Sequence, residues 1–325
     1  MYRQRESFGK DGVITFKQPF RDAYRIFNVS NCMYGDKMLL AFRLSTLTRC
    51  SKILDSNPEK TKVKNYLLLA ETDPNNPVIT TYQKLFLPHD ITSLLETSRY
   101  ASLAYKNRDL HWGVEDIRIM YDAQADTLLA IGNLPVVHDY VQNIMYLAVL
   151  KKDGKEWKVR HETLLYPSFD SPYKIQKNWI PILKENILYF VYSIDPFVVV
   201  QANTMTGECD MVRAIDVKYP FQRKENQYLR GSTQAVPYKD GYLALAHITT
   251  EVGHTKKYHH FFVYIDASLR NVRISNKVCF GRCAPIQFAM GLSVIGDKAY
   301  ITYGESDCDA KLMTMSLKDI EALFA

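Results

Sequence analysis

The 325-residue sequence is poor in features that mark several large functional classes. It has no apolar run approaching the ~20 residues that cross a bilayer as a helix, so a helical membrane span is not expected. Its first residues, MYRQRESFGKDG, are polar and lack the apolar segment of a secretory signal, which points to a cytoplasmic location. The 41 lysines and arginines outnumber the 35 acidic residues, yet they are scattered and form no basic block. Nucleic acid is therefore not an expected partner, and the net charge of +6 leaves only a modest preference for anionic ligands. Cysteine is sparse: of Cys32, Cys50, Cys209, Cys279, Cys283 and Cys308, only Cys279 and Cys283 lie close together. One C-x3-C without a second pair is a poor zinc pattern, so buried free thiols are expected. His254, His259 and His260 show no metal-ligand spacing, and neither metal nor cofactor is expected. Helix signals are few as well. SLKDIEALFA at the C-terminus has Ser316 as a candidate N-cap, and DITSLLETSRYASLAY reads as a helix inside a long insertion near 50–110.

What remains is strand. Apolar residues make up 47% of the chain and aromatics 12%, enough for a core, and 22 tyrosines favour both strands and sugar-lined surfaces. A phrase recurs: a polar entry, an apolar strand, a turn with Gly, Asp, Asn or Lys, and a second strand rich in aromatic and β-branched residues. It appears as NVSNCMYGDKMLLAFRLS, VEDIRIMYDAQADTLLAIGNL, KNWIPILKENILYFVYSID, STQAVPYKDGYLALAHIT and QFAMGLSVIGDKAYITYGES. Turns at Glu185-Asn186, Asp240-Gly241 and Gly296-Asp297 are spaced about 55 residues apart, a blade-like period. Further strands, YLLLAET, IMYLAVLKK, FVVVQAN, HHFFVYIDA and KLMTMSL, lie between the phrases. The expected fold is all-β: one five-bladed β-propeller domain over 1–325, with a paired β-sandwich as the alternative.

In such a propeller the ends of the phrases meet at one mouth of the central channel. That gathers Asn28, Arg43, Asp116, Arg118, Lys177, Asn178, Asp195, Arg230, His247 and Asp307 from all the repeats, as a shared pocket requires. Within HWGVEDIRIMYD, a regular strand puts Asp116 and Arg118 on one face and Glu115 opposite Arg118. Asp116 and Arg118 then read either as a structural ion pair or as a proton-handling acid beside an anion-binding cation. Arg43, closing MLLAFR, equally reads as a strand end reaching solvent. Lys177-Asn178 reads as a turn covered by Trp179, His247 as a core histidine, and Asp195 and Asp307 as loop caps. Arg230 beside Gly231 is the better anion candidate, because glycine lets a ligand approach the backbone.

These residues carry a resemblance. EDIRI resembles the E-D-P-R motif of the inverting β-mannoside phosphorylases of glycoside hydrolase family 130, with Ile117 in the place of proline. LLAFR resembles that family's first-blade arginine segment, ALAHI its fourth-blade histidine segment, and YGESDCDAKLMTMSLKDIEALF its closing phrase. KNW and YSIDP depart from the bacterial pattern and look more like the trypanosomatid mannosyltransferase-phosphorylases that build and break β-1,2-mannan. The resemblance implies exchange of mannose between β-1,2-mannan oligosaccharides and phosphate, mannose-1-phosphate or GDP-mannose. It implies Asp116 as the proton donor, Arg43, Lys177, Arg230 and His247 as phosphate ligands, and Asn28, Arg118, Asn178, Asp195, Tyr258 and Asp307 as sugar contacts.

An inverting hydrolase needs a second carboxylate to activate water, whereas phosphate arrives already anionic and needs positive charge to hold it. One prominent acid among several cations suits phosphate better. A hydrolytic β-mannosidase and a non-catalytic glycan-binding propeller are the competing readings.

Overall fold

The computed structural model describes residues 12–19, 24–46, 64–101, 112–137, 141–170, 177–216, 229–252, 255–284 and 286–324. A short strand β1 (Val13–Thr15) precedes β2 (Arg25–Tyr34), β3 (Lys37–Ser45), β4 (Asn65–Thr72) and β5 (Gln83–Leu85), and β2 to β5 pair antiparallel in chain order. After helix α1 (Ile91–Glu96) come β6 (Glu115–Asp122), β7 (Thr127–Val137), β8 (Val141–Asp153) and β9 (Glu156–Pro167), a second antiparallel run. The next comprises β10 (Ile180–Lys184), β11 (Ile187–Ile194), β12 (Phe197–Ala202) and β13 (Glu208–Ile215). A brief parallel contact of β13 with β9 joins it to the preceding run. Short strands β14 (Leu229–Gly231) and β15 (Val236–Tyr238) both pair with β16 (Gly241–Val252), followed by β17 (Thr255–Asp266) and β18 (Val272–Val278). The last run is β19 (Gln287–Ile295), β20 (Lys298–Glu305) and β21 (Asp309–Ser316), and β1 pairs with β21 to complete it. Helix α2 (Leu317–Ala322) closes the chain, capped by the Ser316 hydroxyl as the sequence indicated.

Apolar side chains pack between successive runs. Leu39 and Leu67 meet Ile119 and Ala130; Ile131 and Met145 meet Trp179 and Phe190; Ile182 and Val199 meet Ala244 and Val263. Leu243 and Phe262 then meet Ala289 and Ile301, and Tyr300 and Leu312 return to Ile26 and Phe42. Each run is thus buried on both faces by its neighbours, and burial of this apolar area is the main stabilising term.

Three local expectations change. The turn expected at Asp240-Gly241 falls at Lys239-Asp240, with left-handed Lys239 (φ 53°), and Gly241 already belongs to β16. Within DITSLLETSRYASLAY the helix Ile91–Glu96, capped by Asp90, gives way to turns at 97–100 before Ala101 is helical again. The helix stops where the Thr97 and Ser98 hydroxyls donate back to the Ser93 and Leu95 carbonyls, offering the chain an alternative to another turn; residues 102–110 lie outside the described part. The strand read at YLLLAET is present as β4, and β4 and β5 extend the pairing begun by β3 within the insertion near 50–110. Cys32 and Cys209 are buried free thiols, as expected, but Cys279 and Cys283 are disulfide-bonded.

Candidate functional site

The register puts the start of each run's first strand beside the end of its second. Phe27 faces Arg43, Glu115 faces Asn133, Ile180 faces Val191, Arg230 faces His247, and Gln287 faces Glu305. Cross-links between runs draw these ends together. Asn28 reaches Asp116, the Ser30 hydroxyl accepts from the Ile119 amide, Arg118 reaches Ser232 and Asn178, and Gln234 donates to the Asn31 and Leu292 carbonyls.

Three of the gathered side chains sit on left-handed backbone: Asn28 (φ 45°), Asp116 (φ 52°) and Asn178 (φ 60°). Asn and Asp tolerate that region better than other non-glycine residues. At Asn28 and Asp116 the pairing also slips, between Phe27 and Ser30 and between Glu115 and Arg118. Such bulges re-aim side chains. The strict alternation that separated Glu115 from its neighbours therefore fails here, and Glu115 and Asp116 both contact Arg43. Gly304 makes the arrangement possible, because a Cβ there would collide with the Asn28 side-chain oxygen.

Asp116 is buried and central. Its Oδ1 accepts from Asn28 Nδ2 at 2.9 Å and from Arg43 Nη1 at 3.1 Å. Arg43 also donates through Nη2 to Glu115 Oε1 at 2.6 Å and through Nε to Asn65 Oδ1 at 3.0 Å, while its guanidinium lies 5.1 Å from the Phe27 ring centroid. Arg118 has no exposed surface; it donates to the Ser232 carbonyl, to the Asp116 carbonyl at 3.0 Å and to Asn178 Oδ1 at 3.2 Å. It holds the backbone under Asp116 and is closed to a ligand in this structure. Ser232 Oγ lies 2.9 Å from His247 Nδ1, and His247 packs on Phe288 (5.1 Å) and Tyr258 (5.4 Å).

The electrostatics follow from this packing. Burial pushes the Asp116 carboxyl up, but Arg43, Lys177, the Asn28 amide and Arg118 together outweigh it and hold the group below the usual carboxylate range. Burial pulls Arg118 down to about 10, opposed by Asp116. His247 is driven well below the ordinary imidazole value by burial, then by His260, Arg118, Arg230 and Lys177. It is therefore a neutral ring at pH 7. Arg43 loses by burial and gains more from Glu115, Asp116 and Asp307, so it stays cationic.

Of the residues singled out in the sequence, Asn28, Arg43, Asp116, Arg118 and Asn178 form one bonded cluster, and Ser232 links it to His247. Lys177, half-buried, and Arg230, exposed, act on it through their charge. Asp307 lies in the β20–β21 turn and acts on Arg43. Asp195 occupies the β11–β12 turn, at the same end of its run as Lys177. Glu115, Asn65, Asn133 and Ser232 were missed. Glu115 was visible in EDIR and set aside only by the regular-strand assumption; Asn65, alone at the head of YLLLAET, carried no local signal.

A cavity of roughly 960 Å³ lies elsewhere, on the outer side between β5 and the β8–β9 hairpin. Of its lysines, Lys152 pairs with Glu71 at 2.5 Å, Lys158 pairs with Asp153 at 2.7 Å, and Lys84 lies 4.1 Å from the Tyr66 ring centroid. The buried charged cluster lies at the Asp116 end instead. Among the described residues no group of three or more His, Cys, Asp or Glu side chains is placed to hold a metal, and no helix is long and apolar enough to cross a membrane.

No protein-family model matches the chain, and no curated protein matches it. Solved structures share its fold. A β-1,2-mannobiose phosphorylase from Listeria innocua, in complex with β-1,2-mannobiose, superposes with a TM-score of 0.59 at 14% identity, covering 95% of each chain. A mannose phosphorylase from Leishmania mexicana, in complex with phosphate, gives 0.53 at 12% identity over 93% of this chain and 87% of its own. A glycosyl hydrolase from Bacteroides ovatus gives 0.61 at 13% identity over 91% of this chain and 85% of its own.

Proposed function

We propose that the chain is a single-domain five-bladed β-propeller that acts as an inverting β-mannoside phosphorylase. The observation that carries this reading is one buried acid, Asp116, acted on at once by Arg43, Lys177 and Arg118. Likeness of fold to two mannose-acting phosphorylases supports the substrate class.

In phosphorolysis, a phosphate oxygen attacks the anomeric carbon as the glycosidic C–O bond breaks. Asp116 supplies a proton to the departing oxygen, directly or through a sugar hydroxyl. Lys177 and Arg230 hold the phosphate, with neutral His247 contributing a ring nitrogen and no charge. In the resting site Asp116 is ionised, which suits the reverse step: it takes the acceptor's proton as mannose leaves mannose-1-phosphate. For the forward step it must first be protonated. Dianionic phosphate beside Lys177 cancels part of the positive field that holds the carboxyl down, so phosphate binding favours the protonated acid. Mannose-1-phosphate fits as the reverse donor because it brings the same anion to the same cations.

A hydrolase reading needs a water-activating carboxylate across the sugar ring from the acid, with the two groups ~6.5–9.5 Å apart. Glu115 bonds the same guanidinium as Asp116, so it lies on the acid's own side and does not fill that role. The test is turnover of β-1,2-mannan oligosaccharides with and without phosphate, followed by ³¹P NMR. Phosphate-dependent mannose-1-phosphate is expected. Phosphate-independent mannose would establish a hydrolase instead, and no turnover under either condition would favour a glycan-binding propeller.

A further inference from the structure

Glu115 has no part in the proposed reaction, yet it receives the shortest bond that Arg43 makes. The guanidinium donates to Glu115 Oε1 at 2.6 Å and to Asp116 Oδ1 at 3.1 Å, so one cation serves two adjacent carboxylates. The Asn65 side chain locks the sharing: its oxygen accepts from Arg43 Nε at 3.0 Å and its nitrogen faces Glu115 Oε1 at 3.4 Å. The three charged side chains are 9%, 13% and 7% exposed for Arg43, Glu115 and Asp116, so water does little to screen them.

We propose that Glu115 is a positioning residue that acts through Arg43: by drawing that guanidinium towards itself it keeps Arg43 from pairing with Asp116 alone, and so leaves Asp116 able to exchange a proton with substrate. The charged groups that bear on Asp116 come from several elements: Arg43 of β3, Arg118 of β6 and Lys177 ahead of β10, with Glu115 and Asp307 acting in turn on Arg43. All but Glu115 and Asp307 are cations. Removing Glu115 would leave the cations less opposed, and the carboxylate form of Asp116 would gain.

This inference rests on the proton role assigned to Asp116, and its test separates the two. Glu115→Gln keeps an oxygen for Arg43 while removing the charge. Its Asp116 carboxyl, followed by ¹³C NMR in aspartate-labelled protein and identified by its loss in Asp116→Asn, should titrate about one pH unit lower than in the parent. Phosphorolysis of the natural saccharide at neutral pH should fall about tenfold, with its pH profile displaced downward by the same amount. An activated aryl mannoside, whose leaving group needs no proton, should keep its profile. Glu115→Asp, which retains the charge, should restore the parent titration in large part, and Glu115→Ala takes the place of the glutamine variant if that one does not fold. An unmoved Asp116 titration in folded Glu115→Gln or Glu115→Ala overturns the proposal even where activity falls. A moved titration in a protein without phosphorolytic activity upholds it and rejects the phosphorylase reading instead.

Discussion

Asp116 and Arg230 stand at the same end of the sheets but are held in opposite ways. Asp116 is 5% exposed, and its contacts are supplied by Asn28 and Arg43 from one run and by the Arg118 network that ties β6 to Asn178 ahead of β10 and Ser232 just after β14. Arg230 is exposed on a three-residue strand. Between the extremes, Lys177 is half-buried and acts on both Asp116 and His247. The acid is thus positioned by the protein before any ligand arrives, whereas the outer cations keep their charge available to an anion. For the proposed reaction this would set a preorganised proton-transfer group beside an adaptable anion subsite, a sound division of labour because proton transfer depends on geometry more sharply than does attraction to a dianion.

The largest effect expected from breaking this contrast is at Asp116. Asp116→Asn should fold, since Arg43 keeps Glu115 and Asn65, yet lose phosphorolysis and synthesis alike by ~10²–10⁴-fold. Aryl mannosides should suffer least. Equal losses on aryl and natural substrates, measured by steady-state kinetics, would reassign Asp116 to the scaffold.

Next comes the support beneath it. Arg118→Met leaves the Ser232 and Asp116 carbonyls and Asn178 Oδ1 without their donor in a buried site. Each buried orphan costs about 1–3 kcal/mol, so a loss of ~3 kcal/mol or more in urea unfolding is expected. A change in phosphate affinity without loss of stability would show that Arg118 reaches ligand after all.

The outer half should respond in the reverse sense. Arg230→Ala should raise the KM for phosphate about 10- to 100-fold, the ~1.5–3 kcal/mol of a charged hydrogen bond, with Tm almost unchanged. Unaltered phosphate dependence would remove Arg230 from the subsite.

The last effect, absent at neutral pH, concerns the core behind His247. Burial, then His259, pulls His260 down to about 3, and its neutral Nε2 accepts the Ala289 amide at 3.2 Å. A histidine kept neutral in the fold binds its proton more readily when unfolded. Its stabilising contribution is therefore complete above pH ~6.5 and declines as pH falls towards about 3. His260→Gln, which retains an acceptor, should flatten the fall of Tm between pH 7 and 4. An unchanged slope would place the acid sensitivity elsewhere.

Much of this was legible in the chain because it is written in local chemistry. The hairpin phrases gave the paired strands, since period-2 apolar patterns and turn residues act over a few positions. NVS, EDI and KNW each put an Asn or Asp at the head of a first strand, where left-handed backbone is tolerated, and those became Asn28, Asp116 and Asn178 of the cluster. The Cys279–Cys283 bond and the shortness of α1 were not legible: one depends on how the fold places two sulfurs, the other on hydroxyls competing for the helix carbonyls.

By itself, then, the sequence determined strand content, the repeated hairpin and the residue types that would crowd one end of the sheets, because each follows from interactions between near neighbours. Only the tertiary structure decided that Arg43 would serve Glu115 and Asp116 together. The two carboxylates are adjacent in sequence and belong on opposite faces of a regular strand, but the bulge at Asp116 turns both towards an arginine 73 residues away. The same holds for Arg118, whose acceptor Ser232 is 114 residues distant. Contacts of that span depend on how the runs pack against one another, and no local pattern encodes them.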